Sequence, residues 1–297
     1  MPANQPFAKE LPEIPPARPK RSRLIIALGL VPFVLAGFLV AISFSKPVRA
    51  LEAPRKFNPT DIRLADGYQI EPVIENLTAP SAAIFNGNNL IIAESGSTRA
   101  ASGRILRIKP EGSIDVITAS GLHGAITGLA IKDGLLYVSS QGKVSRIDSN
   151  GRLRDIVTGL PSEGDHQNTN IAFGPDGKLY VGQGTVTNAG IVGVDNFALG
   201  WLDLHPNLHE VPCQDVKLLG QNYRTPDPTR PGNDAPMLTG AYESFGVPST
   251  PDEVVKGNLK CGGAILRFNS DGSDIHLVAW GLRNPFGLKF DKSGQLW

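Results

Sequence analysis

The sequence predicts an all-β protein built as a β-propeller. From residue 67 onward, short runs rich in Val, Ile and Leu alternate with turns of Gly, Asn, Asp and Ser, and no long stretch keeps a helical period. The runs recur as units of four strands, each about 40 to 45 residues long, a repeat typical of propeller blades. A β-sandwich, the alternative all-β architecture, would not repeat one unit with polar connections in phase.

The first two units are complete in the sequence. Their strands are predicted at 81–85, 90–94, 104–109 and 114–118, and then at 127–131, 135–140, 143–148 and 153–157. The intervening turns at 86–88, 132–134 and 149–151 contain Gly with Asn, Asp or Ser, residues that tolerate positive φ. Each unit is therefore expected to form one antiparallel blade.

The third unit is interrupted and a fourth only begins. Strands are predicted at 170–173, 179–182, 264–268 and 275–279, with an insertion at 185–262, and the fourth unit opens with a strand at 286–290. The segment 67–74 is predicted to be an outer strand, of the kind that closes a ring by completing the last blade. Because three blades cannot close a ring and would leave a sheet edge open, we expect two or more blades beyond Trp297.

Residues 24–46 are predicted to form a transmembrane helix or signal anchor. Residues 24–44 carry no charge, and a helix of about 20 apolar residues spans the hydrocarbon layer of a bilayer. The Pro-rich tail at 1–23 ends in a basic cluster that should stay cytoplasmic. The propeller at 67–297, reached through a linker at 47–66, is then extracytoplasmic. It would be membrane-anchored, or secreted if the chain is cleaved near Ala50.

Charge and cysteine content narrow the function classes. With 29 basic and 28 acidic residues the formal net charge is +1, so no nucleic-acid partner is expected. Cys213 and Cys261 do not form a Cys-x-x-Cys pair, which leaves a redox dithiol and a covalent haem site unsupported. In an exported domain they are expected to form a disulfide, the alternative being two free thiols.

Polar residues recur where one unit ends and the next begins, and we call these connections seams. The seams are 76–80, 121–124, 159–167 and 281–285. In a propeller such connections emerge on one face, around the central channel. His123, His166 and Arg283 are therefore expected on that face, with His166 and Arg283 as neighbours, and function is predicted to reside there.

Four motifs resemble the soluble quinoprotein glucose and sorbosone dehydrogenases, six-bladed propellers that bind pyrroloquinoline quinone (PQQ). The motifs are 67–80, Gly164-Asp165-His166-Gln167 leading into 171–181, 264–268 with 271–273, and 281–288. The resemblance covers roughly residues 66–297 outside the insertion. Each motif alone is weak, but their order and spacing together are fairly specific.

The resemblance implies an enzyme that oxidises a sugar (aldose) hydroxyl by hydride transfer to PQQ. His166 matches the general base of the family, and an imidazole can take a hydroxyl proton near neutral pH. Asp165 is expected to fix the tautomer of His166. Arg283 and Asn284 match residues that contact the cofactor, Gln167 is grouped with them, and such donors would offset charge on the reduced quinone.

The sequence also departs from the family pattern. Residues 168–170 are Asn-Thr-Asn where small residues and an Arg are usual, and Phe286 stands where a Gln is usual. The calcium-binding loop of the family is expected beyond Trp297, and no metal ligands are predicted before it. The sequence identifies neither the sugar nor the electron acceptor.

Two other functions stay open on these residues. One is a non-catalytic propeller that binds a ligand or protein at the seams. The other is a metal-dependent hydrolase of the lactonase type, which needs several carboxylates, whereas Asp165 is the one carboxylate among the candidate seam residues.

The insertion at 185–262 is expected to form a lid or partner surface. Pro206 follows His205, which disfavours a helical zinc site with His209.

Overall fold

The first two units fold into four-stranded antiparallel sheets. A computed structural model describes residues 58–95, 103–228, 230 and 235–297. The first sheet contains β1 (Pro80–Asn86), β2 (Asn89–Glu94), β3 (Arg104–Ile108) and β4 (Ile114–Thr118), and the second contains β5 (Gly128–Lys132), β6 (Leu135–Ser140), β7 (Lys143–Ile147) and β8 (Leu153–Thr158). In both sheets the strands lie side by side in chain order. The all-β prediction is confirmed.

The third sheet is completed only after the insertion. It begins with β9 (Asn168–Phe173) and β10 (Leu179–Gln183), and it is completed by β15 (Ala264–Phe268) and β16 (His276–Trp280). The insertion between β10 and β15 contains the short helices α1 (Val194–Ala198) and α2 (Trp201–Leu204). It also contains the strands β11 (Val216–Leu219), β12 (Asn222–Thr225), β13 (Met237–Gly240) and β14 (Pro251–Val255). Within the insertion β11 pairs with β14 and β12 with β13. Two small ribbons and two helical turns therefore stand between neighbouring strands of one blade.

The second sheet is buried on both faces. Along β6 the side chains alternate between faces, so Leu136 and Val138 pack in the core beneath the first sheet, while Tyr137 packs toward the third. The first strands of successive sheets, β1 with β5 and β5 with β9, contact each other. Sheets that pack face to face with their first strands together have the arrangement of propeller blades.

Cys213 and Cys261 form a disulfide that joins an interior residue of the insertion to its C-terminal end, with their Cα atoms 4.9 Å apart. Both cysteines are buried in the core between the second and third sheets. The predicted disulfide is thus present, and it anchors the insertion to the blades.

Two predicted strands are wrong. Residues 67–74 form turns and irregular structure, and residues 286–289 are not in a strand either. Phe290 makes only an isolated bridge to Leu296, around a turn closed by the Gly294 N–H to the Asp291 carbonyl. An extended segment becomes a strand only when a neighbouring strand pairs with its backbone. Residues 67–74 have no such partner among the described residues, and at 286–290 the pairing is limited to Lys289 with Trp297 and Phe290 with Leu296.

Within the part of the chain that the structure covers, no helix has the length and apolar character needed to cross a bilayer. The predicted transmembrane segment at 24–46, the tail before it and most of the linker lie outside the described residues.

Asn168 joins the second and third sheets. Its side chain is fully buried and donates to the Ser139 hydroxyl (2.7 Å) and the Ser140 carbonyl (2.8 Å). Its amide oxygen accepts from the Gly142 N–H and from the Ser162 hydroxyl, both at 2.8 Å. One side chain therefore satisfies buried polar groups of β6, of the turn after it and of the seam at 159–167.

Replacing Asn168 with Ala should destabilise the protein by about 3 to 5 kcal/mol, because each buried partner left without a hydrogen bond costs about 1 to 3 kcal/mol. Urea unfolding followed by circular dichroism measures this loss. Asn150→Ala, in the exposed turn between β7 and β8, is the control and should stay within about 0.5 kcal/mol of the wild type. Equal effects of the two variants would contradict a structural role for Asn168.

Replacing both Cys213 and Cys261 with Ser should lower the free energy of unfolding by about 4 kcal/mol, the loop-entropy value for a disulfide spanning 48 residues. Reduction of the wild type with dithiothreitol should cause a similar loss in the same urea titration. The double variant serves as the control, since reductant should leave its stability unchanged. A reductant effect on that variant would mean that the loss has another origin.

Candidate functional site

The seam at 281–285 is held against the third sheet by three hydrogen bonds. The Leu282 N–H donates to the Gly263 carbonyl (2.9 Å), and the Thr185 N–H donates to the Arg283 carbonyl (2.9 Å). The Thr169 hydroxyl donates to the Pro285 carbonyl at 2.7 Å. The backbone that carries Arg283 and Asn284 is therefore fixed relative to β9 and β10.

His166 lies across from Thr185, just beyond the paired ends of β9 and β10. The Gly184 N–H donates to the Gln167 carbonyl (3.0 Å), and the His166 N–H donates to the Thr185 carbonyl (3.1 Å), so the antiparallel pairing continues past both strands. Since the Thr185 N–H also donates to the Arg283 carbonyl, Thr185 links His166 to the backbone of Arg283. The structure thus brings these two predicted site residues together.

Thr185 determines which nitrogen of His166 carries the proton. Nδ1 of His166 lies 3.2 Å from the Thr185 carbonyl oxygen and 3.3 Å from the Thr185 hydroxyl. That hydroxyl donates its own proton to the Thr187 carbonyl at 2.6 Å, so toward Nδ1 it can only accept. Both neighbours of Nδ1 are therefore acceptors, Nδ1 carries the hydrogen, and Nε2 of the neutral ring is left with a free lone pair.

The expected contact between Asp165 and the His166 ring is wrong, since Thr185 takes that place. The Asp165 carboxylate accepts from the side-chain amides of Asn188 and Asn196, each at 3.0 Å. Burial and then the negative charge of Asp195 raise the pKa of Asp165, while His166, Asn196 and Arg283 act in the opposite direction. Asp165 therefore interacts with His166 electrostatically, through its negative charge, rather than through a hydrogen bond.

The three predicted cofactor contacts keep their side chains available. Arg283 and Asn284 are exposed and Gln167 is half-buried. None of the described side-chain hydrogen bonds or ion pairs involves these three groups, although the charge of Arg283 lowers the pKa of Asp165. One cation and two amides thus have no hydrogen-bond or ion-pair partner among the described side chains.

His123 lies elsewhere. It lines a cavity with Lys143, Asp155, Glu163 and His205, between the seams at 121–124 and 159–167. The His205 ring contacts the Glu163 carboxylate at 3.1 Å, whereas Nδ1 of His209 contacts the Glu210 carbonyl at 2.9 Å. Within the described ranges, no group of three or more His, Cys, Asp or Glu side chains could hold a metal ion.

Sequence reasoning missed the residues that complete the surroundings of Arg283. Arg283 lines a cavity together with Thr185 and with Glu210 and Tyr242 of the insertion. Neither insertion residue belongs to a motif. Thr185 could have been found from the hairpin turn at 175–177, which places the residues after β10 opposite those before β9.

The neutral ring of His166 should be the Nδ1–H tautomer, because Nδ1 faces two acceptors. Two-dimensional ¹⁵N–¹H correlation NMR of the imidazole groups above neutral pH distinguishes this tautomer from the commoner Nε2–H form, and a His166→Gln sample assigns the signal. Thr185→Val removes one acceptor and keeps the carbonyl, so it should preserve the tautomer. A wild-type ring protonated at Nε2 would overturn this assignment.

Comparison with known proteins gives a sequence relative. The chain is 25% identical over 268 residues to quinoprotein glucose dehydrogenase B of Acinetobacter calcoaceticus, with 78% of this chain and 48% of the relative covered. The chain thus spans about half the length of the curated relative that it matches. No family model matches the chain.

Among solved structures, the PQQ-bound form of aldose sugar dehydrogenase from Streptomyces coelicolor aligns with a TM-score of 0.43 and 18% identity, over 74% of this chain and 56% of its own. Virginiamycin B lyase from Staphylococcus aureus aligns with a TM-score of 0.34 and 16% identity, over 74% and 62%. Scores at this level identify no activity. At the level of sequence, the chain is similar to a quinoprotein glucose dehydrogenase, as its motifs predict.

Proposed function

We propose that the chain is part of a PQQ-dependent sugar dehydrogenase that oxidises an aldose hydroxyl group. The observation that carries this proposal is the junction at Thr185, whose carbonyl contacts the His166 ring and whose N–H binds the Arg283 backbone. A base and a cation that are distant in sequence are thereby linked through one residue, and both interact with the Asp165 carboxylate. The sequence relationship to a quinoprotein glucose dehydrogenase supports the same chemistry.

His166 has the properties of a general base for this reaction. Its Nδ1 is occupied by Thr185, so the lone pair on Nε2 is the one that takes the hydroxyl proton of the sugar. As that proton leaves, the carbinol C–H bond breaks and its electron pair departs with the hydrogen. The nearby Asp165 charge stabilises the imidazolium that forms, since the two groups interact electrostatically.

The side chains around Arg283 suit an anionic quinone. PQQ is planar and carries several carboxylates, which calls for cationic and amide donors. Arg283, Asn284 and Gln167 provide such donors, and none of them is used by another described side chain. When bound, PQQ would supply the two-electron acceptor, and Arg283 would offset the negative charge that develops next to it.

Three further features belong to the proposal. Calcium is expected as a second cofactor, held outside the residues described. The domain is proposed to face the extracytoplasmic side, anchored by residues 24–46 or released by cleavage near Ala50. A buried disulfide fits that compartment, since such bonds persist in oxidising surroundings.

Aldose-dependent dye reduction by the full chain, supplied with PQQ and calcium, tests the proposal. His166→Ala should lower kcat by about 10² to 10⁴, the usual contribution of a general base, and Arg283→Ala should weaken PQQ binding. His276→Ala, at an exposed ring paired with Asp274 at 2.8 Å, is the matched control and should keep wild-type activity.

Dye reduction that persists in His166→Ala would contradict the assigned base. A folded chain that binds no quinone would instead favour the non-catalytic propeller.

A further inference from the structure

A cavity beside Arg283 is shared between the blades and the insertion. Its volume is about 520 Å³, within the range of sites that bind small molecules. The blades contribute Trp280 and Arg283, and the insertion contributes Glu210 and Tyr242. Thr185, which also contacts the ring of His166, lines the same cavity. The cavity therefore adjoins the proposed base.

Glu210 carries a carboxylate oxygen that lacks a partner. The residue is 5% exposed, and its Oε2 accepts from the Thr187 N–H (3.0 Å) and the Thr187 hydroxyl (3.3 Å). Oε1 is buried in the cavity wall with no hydrogen-bond partner among the described residues. Leaving such a group unsatisfied is costly.

Gly262 makes room for this carboxylate. A Cβ atom at position 262 would collide with Oε1 of Glu210. The absence of a side chain there allows the acid to lie against the backbone in the cavity wall. The position of Glu210 is therefore built into the backbone of the insertion.

Tyr242 occupies the left-handed region with φ of 62°, an unfavourable conformation for an aromatic residue. Its N–H donates to the Gly190 carbonyl at 2.9 Å, which holds the loop in place. Burial and then the charge of Glu210 raise the pKa of its phenol, which therefore stays protonated. None of the described hydrogen bonds involves this phenol, so its O–H is available as a donor.

We propose that this cavity binds the ring of an aldose, with Glu210 accepting a hydrogen bond from one sugar hydroxyl and Tyr242 donating to another. The Trp280 side chain offers an apolar surface for the C–H face of the ring. An acceptor, a donor and an aromatic surface around one cavity match the alternating hydroxyl and C–H groups of a sugar. This inference rests on the proposed function, and it makes the insertion a determinant of substrate specificity.

Isothermal titration calorimetry of the full chain without PQQ, using D-glucose, D-galactose and D-xylose, tests the inference apart from turnover. The wild type should bind at least one of them. Glu210→Gln and Tyr242→Phe should each weaken that binding roughly tenfold, the loss expected for one hydrogen bond. Glu111→Gln, the same change in the exposed turn between β3 and β4, is the control. Unchanged circular dichroism spectra establish that the variants fold.

The inference is overturned if none of the sugars binds, or if both variants bind like the wild type. If the chain shows dehydrogenase activity with PQQ but its sugar binding does not depend on Glu210, the sugar does not bind in this cavity and the proposed function stands. Binding that depends on Glu210 and Tyr242 without any dehydrogenation would support the cavity and reject the redox function.

Discussion

The close approach of the Pro285 carbonyl to Gly182 is the constraint on which the site depends. A Cβ at position 182 would collide with that carbonyl and with the Thr169 hydroxyl. The pairing of β9 with β10 shifts by one residue at this point, so that Thr169 and Asn170 together lie opposite Gly182. The resulting bulge places the Thr169 hydroxyl between two carbonyls, where it donates to that of Pro285 at 2.7 Å and lies 3.1 Å from that of Gly182.

The bulge also decides what faces His166. With regular pairing, the register of Val181 with Ile171 would place Val186 opposite His166. The one-residue shift brings Thr185 there instead, and with it the carbonyl and hydroxyl that fix the imidazole tautomer. The same residue binds the Arg283 backbone. One irregularity in a hairpin therefore aligns the proposed base and holds the cation beside it.

The sequence predicted the three sheets well because their strands combine apolar runs with explicit turns. β4, β6 and β15 have the predicted ends, and the other blade strands differ at either end by at most two residues. The bulge could not be predicted, since it depends on Pro285, more than a hundred residues away in the chain. From the sequence, residues 168–170 are a departure that removes a positive group, whereas the structure shows that the Asn168 side chain is buried between sheets, where it satisfies polar groups.

The disulfide connects the stability of the insertion to the shape of the proposed sugar cavity. Glu210 lies three residues before Cys213 and Gly262 directly follows Cys261, so both sides of the carboxylate contact are tied to one covalent link. The Gly262 N–H also donates to the Val211 carbonyl at 2.9 Å, which reinforces the same junction. A polar group that is already held in place loses little conformational entropy when a ligand binds. The insertion can therefore present Glu210 as a preorganised acceptor, in contrast to a mobile lid that would have to order around each substrate.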